Sequence, residues 1–476
     1  MRLALFLRGV PPNRMKMKTM AALFTVGIAS VGCSSSGGGA PGGGTANTGG
    51  LAGTGGTAGI AGPTGSGGLA GTGGLAGTGG TAGAAGKTPA VSDPCVAANS
   101  CAPGTWVQHE LPGLTADDTV ETVLVDPARP SDFYAFVGFN NGGTIKVYRS
   151  TDFGDTWVNR NQTAEIKGNP WGASIDPNPN RDPAVPPTLW SPSGYGSVGA
   201  WKSTDGGQTW ARSVGCDQAF ATYNPFGAAL TDLYHVKILP DDPPNHVLAT
   251  YHYGFKDNPD GGFGETWDGG ATWVIHPPPV GIGTSHYVIP VSGTTWAVIA
   301  QDNDMGKNGI WRTTTAGRVG GTAAAKYRDG TISAAAWTKV DTLEHAHGSH
   351  GNVVLPDGTI FATGWVTGAR STDGGATWTH FTQGSWAPPH QFEQSTITNI
   401  AVTGTFIYTT GPTLARAPIA DPIGADKWNI SYCQTPAAMK SAGAPFTMAS
   451  SYDPVAKKWV VVAGTYEDGL WKYVEP

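Results

Sequence analysis

Charge is scarce in this chain, and the little that it carries is not basic. Only 13% of the 476 residues are Asp, Glu, Lys or Arg, and the net charge at pH 7 is -6. Proteins that bind DNA or RNA present a basic face to the phosphates, so the composition excludes a nucleic-acid partner. The apolar run AALFTVGIASV at 21–31 is too short for a membrane helix, which needs about 20 apolar residues.

Residues 1–33 instead predict an export signal. Two lysines precede the run at 21–31, which has the length of a signal-peptide core. The run ends in SVGC at 30–33, which resembles the cleavage site of bacterial lipoproteins, and this resemblance implies that Cys33 becomes lipidated. We therefore expect a protein of the bacterial cell envelope, either an outer-membrane lipoprotein or a cell-surface or secreted protein, with a lipid anchor as its contact with the membrane.

Cysteine is rare, and its count fits an exported protein. Without Cys33, four of the five cysteines remain, an even number that disulfides in an oxidising compartment would use. These are Cys95, Cys101, Cys216 and Cys433. The first two are close enough to close a small loop. A bridge between the other two would need a fold that returns the chain end near its middle, and their pairing is left open.

Residues 34–94 form a low-complexity segment of repeating units such as LAGTGG and TAGIAG. Such a composition cannot build a hydrophobic core, so it predicts a disordered Gly/Ala/Thr-rich stalk. About 50 residues of this kind have an end-to-end distance of roughly 40 Å. The folded domain is predicted over 95–476.

An octapeptide recurs in this folded part. Its copies are STDFGDTW (150–157), STDGGQTW (203–210), TWDGGATW (266–273) and STDGGATW (371–378). The Asp side chain can accept hydrogen bonds from backbone N–H groups across a tight turn, Gly supplies positive φ angles, and Trp packs between neighbouring sheets. We therefore assign a structural role, not a catalytic one, to Asp152, Asp205, Asp268 and Asp373.

The octapeptide resembles the Asp-box, or BNR repeat, of sialidases, sortilin-type receptors, xyloglucanases and photosystem assembly factors. The resemblance covers roughly residues 105–476 and implies an all-β fold, a single β-propeller. We expect seven four-stranded blades, whose inner strands begin near Thr119, Trp171, Tyr234, His286, Gly351, Thr396 and Phe446. The N-terminal strand at 104–111 should complete the last blade and close the ring, which removes exposed edges. Three units lack a good box, so six or eight blades remain alternatives.

The inner strands of a propeller begin, and its second strands end, on one face around the central channel, where ligands are expected. In blades three to five these positions collect many of the 11 histidines. The candidate catalytic residues are His235, His252, Tyr251, Tyr253, His286, Tyr287 and Arg312. The candidate substrate-binding residues are Tyr195, Gln301, Asp302, His350 and Trp365.

The main functional hypothesis is a polysaccharide lyase that cleaves a uronic-acid glycan by β-elimination. That reaction needs a base, an acid and a cation that neutralises the carboxylate. The positions are similar to those of ulvan, oligogalacturonate and rhamnose-glucuronate lyases, which use His and Tyr on this face of a propeller. This resemblance implies His235 and His252 as acid-base groups, a tyrosine as acid and Arg312 as the neutralising cation.

Two alternatives stay open. A glycoside hydrolase needs paired carboxylates, for which Asp302, Asp304, Glu393 and Glu467 are available. The Arg-Ile-Pro signature of sialidases is missing, which counts against a sialidase. The resemblance implies that two-propeller xyloglucanases have about twice this folded length, which counts against them as well. The other alternative is a non-catalytic propeller that binds a glycan or a protein.

The sequence suggests one cofactor, a divalent metal ion. The segment HAHGSH offers His345, His347 and His350 as ligands, with Ca²⁺, Zn²⁺ and Mn²⁺ left open. The expected partner is a polysaccharide or oligosaccharide substrate, and we expect a monomer.

Overall fold

The structure, a computed structural model, describes only part of the chain. The described residues are 93, 103–115, 118–138, 143–194, 199–221, 233–251, 262–276, 286–300, 309–343, 351–364, 367–381, 399–409, 414–424, 427–429, 445–465 and 469–476. The chain divides into two compact units, 1–73 and 74–476, and every described residue belongs to the second. The predicted signal peptide and almost all of the predicted stalk therefore lie outside the described residues.

Seven antiparallel sheets make up the described part of this unit, apart from one small hairpin. Each sheet is one blade, numbered along the chain. The strands of blades 1 to 3 are β2 (Thr119–Asp126), β3 (Arg129–Gly138), β4 (Lys146–Ser150) and β5 (Val158–Asn159); β6 (Ser174–Ile175), β7 (Leu189–Ser191), β8 (Trp201–Ser203) and β9 (Ala211–Arg212); β10 (Leu233–Ile238), β11 (Val247–Tyr251), β12 (Gly262–Thr266) and β13 (Val274–His276).

Blade 4 contains an insertion, and blade 6 is reduced. The strands of blades 4 and 5 are β14 (His286–Pro290), β15 (Trp296–Ala300), β16 (Gly309–Thr313) and β19 (Thr338–Asp341), with the inserted hairpin β17 (Arg318–Val319) and β18 (Thr331–Ile332); β20 (Asn352–Val354), β21 (Ile360–Thr363), β22 (Gly368–Ser371) and β23 (Thr379–Phe381). Blade 6 has β24 (Ile400–Val402), β25 (Phe406–Thr409) and β26 (Ala415–Pro418). Its fourth position is a single bridge between Arg416 and Asn429.

Blade 7 closes the ring with strands from both ends of the folded unit. It combines β27 (Pro445–Asp453), β28 (Lys458–Thr465) and β29 (Leu470–Val474) with β1 (Trp106–His109), which pairs with β29. Each of the seven inner strands contacts the next, and β27 contacts β2, so the contacts run around a complete circle. The predicted seven-bladed propeller and its N-terminal closing strand are thereby confirmed.

Helical structure is minor. One α-helix, α1 (Val214–Ala221), follows blade 2, and a short 3₁₀ helix spans Ala334–Ala336. Within the part of the chain that the structure describes, no helix is long and apolar enough to cross a membrane.

The domain boundary shows one departure from the predicted stalk. Asp93, near the end of the predicted disordered segment, is buried. Its carboxylate lies 2.6 Å from Nζ of Lys472 on β29, and its N–H donates to the Asp453 carboxylate at 2.7 Å. Because both partners belong to blade 7, the ordered contacts of the propeller begin before residue 95.

The Asp boxes hold the turn between the third and fourth strands, as the repeat predicts. In blade 2, Asp205 accepts hydrogen bonds from the Ser203 hydroxyl at 2.8 Å and from the Thr209 hydroxyl at 2.6 Å. The Thr209 N–H donates to the same carboxylate at 2.9 Å, and Gly206 and Gly207 have φ angles of +70° and +88°. The equivalent bonds recur at Asp152, Asp268 and Asp373. Their carboxylates are committed to the turns, which confirms a structural role.

Blade 4 contains a degenerate box that the octapeptide search misses. The Thr313 hydroxyl accepts the N–H of Gly317 at 3.0 Å, as the first Ser does in the other boxes, and Ala316 and Gly317 have positive φ angles. Thr315 stands in the place of Asp. The inserted hairpin then separates this turn from Trp337, whose buried ring packs 6.4 Å from that of Trp296.

Candidate active site at the rim of the central channel

The seven inner strands enclose a central channel of about 480 Å³, to which all seven blades contribute. We call the face where inner strands begin and second strands end the rim. A concave site shared by all repeats is where a propeller can gather side chains from several blades. The rim is therefore the face where a functional site is expected.

Glu121 is the most unusual residue at the rim. It lies near the start of β2 and is only 1% exposed. Its Oε2 atom has no hydrogen-bond partner among the described residues. Burial without a compensating partner raises the pKa of this carboxyl well above its usual range, because desolvation disfavours the charged form. Burial therefore favours the protonated, neutral form of the Glu121 carboxyl.

A β-bulge explains why Glu121 is placed in this way. Val120 pairs with Val137 and Thr122 pairs with Phe136, so Glu121 is the extra residue between two regular pairs. Bulges redirect a side chain out of the normal alternation of a strand. β10 has the same irregularity at Tyr234, between Leu233 and His235. β27 also has it, between Pro445 and Thr447, so the described inner strands depart from regular geometry at three rim positions.

The residue after Glu121 is hydrogen-bonded to the residue before the first aromatic residue of blade 2. The hydroxyl of Thr122 donates to the Pro170 carbonyl at 2.9 Å, and Pro170 directly precedes Trp171. Trp171 is 8% exposed, and its ring centroid is 4.9 Å from that of Tyr234 on blade 3. An acid and an aromatic surface therefore lie on neighbouring blades, which are the two elements that a sugar-binding site combines.

Two further buried polar atoms without a partner lie at the rim. These are Nδ2 of Asn169, just before blade 2, and Oγ1 of Thr250, near the end of β11. Both residues are at most 2% exposed. Buried polar groups are almost always hydrogen-bonded in proteins. Unused hydrogen-bonding capacity on three successive blades, counting Glu121, indicates a place where a ligand or ordered water completes the bonds.

His235 belongs to the packing beneath this surface. Its ring is fully buried and lies 5.0 Å from the Tyr234 ring and 5.6 Å from the Tyr287 ring, measured between centroids. It also covers Gly172, where a Cβ atom would come within 2.3 Å of the imidazole. The residue predicted as a catalytic base is therefore a packed histidine that joins blades 2, 3 and 4.

Two other predicted catalytic residues donate hydrogen bonds to backbone carbonyl groups of blade 5. The Tyr287 hydroxyl donates to the Thr363 carbonyl at 2.9 Å, and burial raises the pKa of this phenol, so it is a poor proton donor. Arg312 lies on the third strand of blade 4 and donates to the Gly374 carbonyl in the Asp-box turn of blade 5 at 2.9 Å. The Nε–H group of Arg312 therefore serves that turn, and the proposed neutralising role of Arg312 stays a prediction.

The remaining predicted site residues cannot be located at the level of their side chains. The backbones of Tyr251 and His286 lie at the end of β11 and the start of β14, but their side chains are outside the described residues. The same holds for the whole of His252, Tyr253, Tyr195, Gln301, Asp302, His345, His347, His350 and Trp365. These assignments stay predictions.

The predicted disulfides and metal site are likewise open. Cys216, on α1, is buried and forms no disulfide with a described residue, and burial raises the pKa of its thiol, whereas Cys33, Cys95, Cys101 and Cys433 lie outside the described residues. In the described ranges, no group of three or more His, Cys, Asp or Glu residues could hold a metal ion. The predicted histidine ligands fall outside those ranges.

Among curated proteins, xyloglucanases are similar in sequence to this chain. A xyloglucanase from Paenibacillus sp. is 27% identical over 331 residues, which is 62% of this chain and 29% of that protein. Another, from Acetivibrio thermocellus, is 27% identical over 216 residues, covering 41% of this chain and 25% of the relative. The chain thus spans less than a third of the length of these curated relatives. No family model matches it.

Among solved structures, the GH74 xyloglucanase of Xanthomonas campestris is similar to this chain, with 18% identity, a TM-score of 0.44, and coverage of 66% of this chain and 48% of that one. A Hadza microbial sialidase is 13% identical, with a TM-score of 0.38, over 77% of this chain and 67% of its own. The predicted resemblance to Asp-box propellers of the sialidase and xyloglucanase type is confirmed. The matched part is only 29% and 25% of the curated xyloglucanases, which agrees with the expectation that two-propeller xyloglucanases are longer than this chain.

Proposed function

We propose that this propeller is a carbohydrate-active protein, a glycoside hydrolase that acts on a neutral polysaccharide of the xyloglucan type with Glu121 as its general acid. The observation that carries the proposal is the buried, unpartnered carboxyl of Glu121, with its raised pKa, at the rim. The xyloglucanase relatives support the substrate class. The lyase hypothesis loses support because Tyr287 and Arg312 are engaged elsewhere.

The chemistry follows from the protonation state. Glycoside hydrolysis needs a carboxylic acid that is still protonated at the working pH, so that it can transfer its proton to the leaving glycosidic oxygen. Burial raises the pKa of the Glu121 carboxyl and so favours that state. In this proposal the ring of Trp171, which lies against Tyr234, packs on a sugar ring, and Asn169 and Thr250, whose buried polar atoms have no partner among the described residues, hydrogen-bond its hydroxyl groups.

A hydrolase also needs a second carboxylate, as nucleophile or as base. The candidates are the acidic residues that the sequence places at the rim, Asp302, Asp304, Glu393 and Glu467, all of which lie outside the described residues. We propose that one of them faces Glu121 across the bound sugar.

The test is hydrolysis of xyloglucan by the purified full chain, followed by the appearance of new reducing ends. General acid catalysis contributes about 10²–10⁴-fold to such a reaction, so Glu121→Gln should lower kcat by about that factor because an amide cannot supply the proton. Glu165→Gln is the matched control, since Glu165 is an exposed glutamate of the same domain, and it should leave the rate unchanged.

A parallel assay on uronic-acid polymers, which follows the absorbance of unsaturated products, separates the hydrolase from the lyase. Unsaturated products with no new reducing ends from neutral glucans would restore the lyase hypothesis. Xyloglucan binding without turnover would indicate a non-catalytic glycan-binding propeller. Full xyloglucan hydrolysis by Glu121→Gln would remove Glu121 from the mechanism.

We also propose that the propeller works at the outside of a bacterial cell, held there by a lipid on Cys33. The support is the signal-like segment and the SVGC motif before the low-complexity stalk. A polymeric substrate such as xyloglucan is too large to enter a cell intact, so an extracellular location agrees with the proposed activity.

A further inference from the structure

A single charged side chain lines the described part of the central channel. The walls are formed by apolar residues, prolines and a few Ser, Thr and Asn residues, and Lys237 of β10 is the one exception. Its side chain is partly exposed to the channel. No hydrogen bond or ion pair to its ammonium group exists within the described ranges. The channel therefore carries one positive charge that no described carboxylate compensates.

The strand that carries this lysine is held firmly. The N–H groups on either side of Lys237 donate to blade 2: Val236 N–H to the Gly172 carbonyl at 3.2 Å, and Ile238 N–H to the Ser174 hydroxyl at 3.0 Å. Lys237 itself pairs with Leu248 of β11. Because the backbone is fixed on both edges, the ammonium group has a defined place at which it can meet a ligand.

An unpaired ammonium group in such surroundings is costly. Burial lowers the pKa of Lys237 to about 8, since desolvation penalises the charged form. A counter-ion within hydrogen-bond reach would offset much of this cost. The ammonium group is a compact point charge with three rotatable donors, which suits a small, nearly spherical anion better than a planar carboxylate.

We propose that the central channel binds a small inorganic anion, such as chloride, at Lys237. The site lies among the inner strands, at the axis of the ring, and is separate from the proposed chemistry at Glu121. Its occupant would add a contact at the centre of the propeller and thereby stabilise the closed ring. The proposal does not depend on the hydrolase assignment.

The experiment compares the thermal unfolding of the full chain in sodium chloride and in sodium gluconate at equal ionic strength. A ligand that binds only the folded state raises its stability in proportion to RT ln(1 + [L]/Kd), so chloride should raise Tm by about 1–3 °C. Lys237→Met should abolish this difference, and Lys237→Arg, which keeps the cation, should retain it. Lys457→Met changes an exposed lysine and should behave like the wild type.

A crystal of the wild-type chain soaked in bromide provides a second measurement that needs no variant. Anomalous scattering should show one bromide ion beside Nζ of Lys237. The proposal is overturned if chloride and gluconate give the same Tm for the wild type, or if Lys237→Met keeps the chloride effect. Bromide at Lys237 in the crystal without any chloride effect in solution would show an adventitious ion only, and would also overturn it.

Discussion

Two buried glutamates, Glu265 in blade 3 and Glu121 in blade 1, differ in the hydrogen-bond partners that the described residues offer their carboxyl groups. Glu265 is fully buried, yet it accepts hydrogen bonds from His246 Nε2 at 3.0 Å, His276 Nε2 at 2.8 Å and Arg318 Nη2 at 2.6 Å. These partners overcome desolvation and hold its pKa far below the usual range. Glu121 is equally buried, but its Oε2 has no partner among the described residues and its pKa is raised.

The surroundings of Glu265 identify a structural network. Arg318 starts the hairpin inserted into blade 4, and His246 also contacts Asp241, which in turn pairs with Lys326 of the insertion at 3.1 Å. The network therefore ties the insertion to blade 3. A buried charge with all its partners fastens elements together, whereas a buried acid without partners keeps its hydrogen-bonding capacity for a ligand. This difference separates the scaffold from the candidate site.

The largest effect on stability should come from breaking the network. Glu265→Gln leaves Arg318 buried without its carboxylate, and removal of one partner of a buried ion pair costs about 3–5 kcal/mol. The free energy of unfolding, measured in urea, should fall by that amount. Glu165→Gln, at an exposed position, should change it by less than about 0.5 kcal/mol. A loss below about 1 kcal/mol for Glu265→Gln would mean that the network is not structural.

At the rim, we expect a substitution that increases the free energy of unfolding. Glu121→Met replaces an unpartnered buried carboxyl with an apolar side chain of similar length. Because an unsatisfied buried polar group costs about 1–3 kcal/mol, the unfolding free energy should rise by roughly that amount while xyloglucan hydrolysis is lost. Such a trade between stability and activity is typical of functional residues. If Glu121→Met were destabilised like Glu265→Gln, the two glutamates would play the same structural part.

The fold was largely predictable because its signals are local. Each Asp box fits within eight residues, so its turn can be recognised without knowledge of distant contacts, and the incomplete sheets at the two ends predicted the closing strand. Blade 4 shows the limit of this approach. Its box has Thr315 for Asp, and the inserted hairpin separates Gly317 from Trp337, so the pattern disappears from the sequence although the turn is retained.

The candidate site was less predictable because it depends on irregular backbone and on neighbouring blades. Glu121 was a visible signal, an acidic residue among the apolar residues of the strand TVETVLVD, but only the bulge explains its position at the rim. The imidazole of His235 led to its prediction as a catalytic residue, but its position between Gly172 and Tyr287 makes it a packing residue. Residue type alone does not distinguish a site residue from a packing residue, because the distinction depends on burial and on hydrogen-bond partners.

The smallest expected effect is on the pH dependence of the free energy of unfolding, which also compares Glu265 and Glu121 most directly. The folded-state pKa of Glu265 is lowered, and burial lowers that of His276 below 6.5, so the folded state binds fewer protons and their stabilisation is lost as pH falls. The raised pKa of Glu121 has the opposite consequence: its contribution is complete below the unfolded value of 4.5 and is lost as pH rises. Each proton contributes at most about 1.4 kcal/mol per pH unit. Below about pH 4.5, Glu265→Gln should therefore flatten the acid-side loss in a series of unfolding free energies, and above about pH 4.5 Glu121→Gln should flatten the loss toward higher pH. If Glu121→Gln left the slope above pH 4.5 unchanged, the carboxyl would be ionised in the folded state and could not act as the acid.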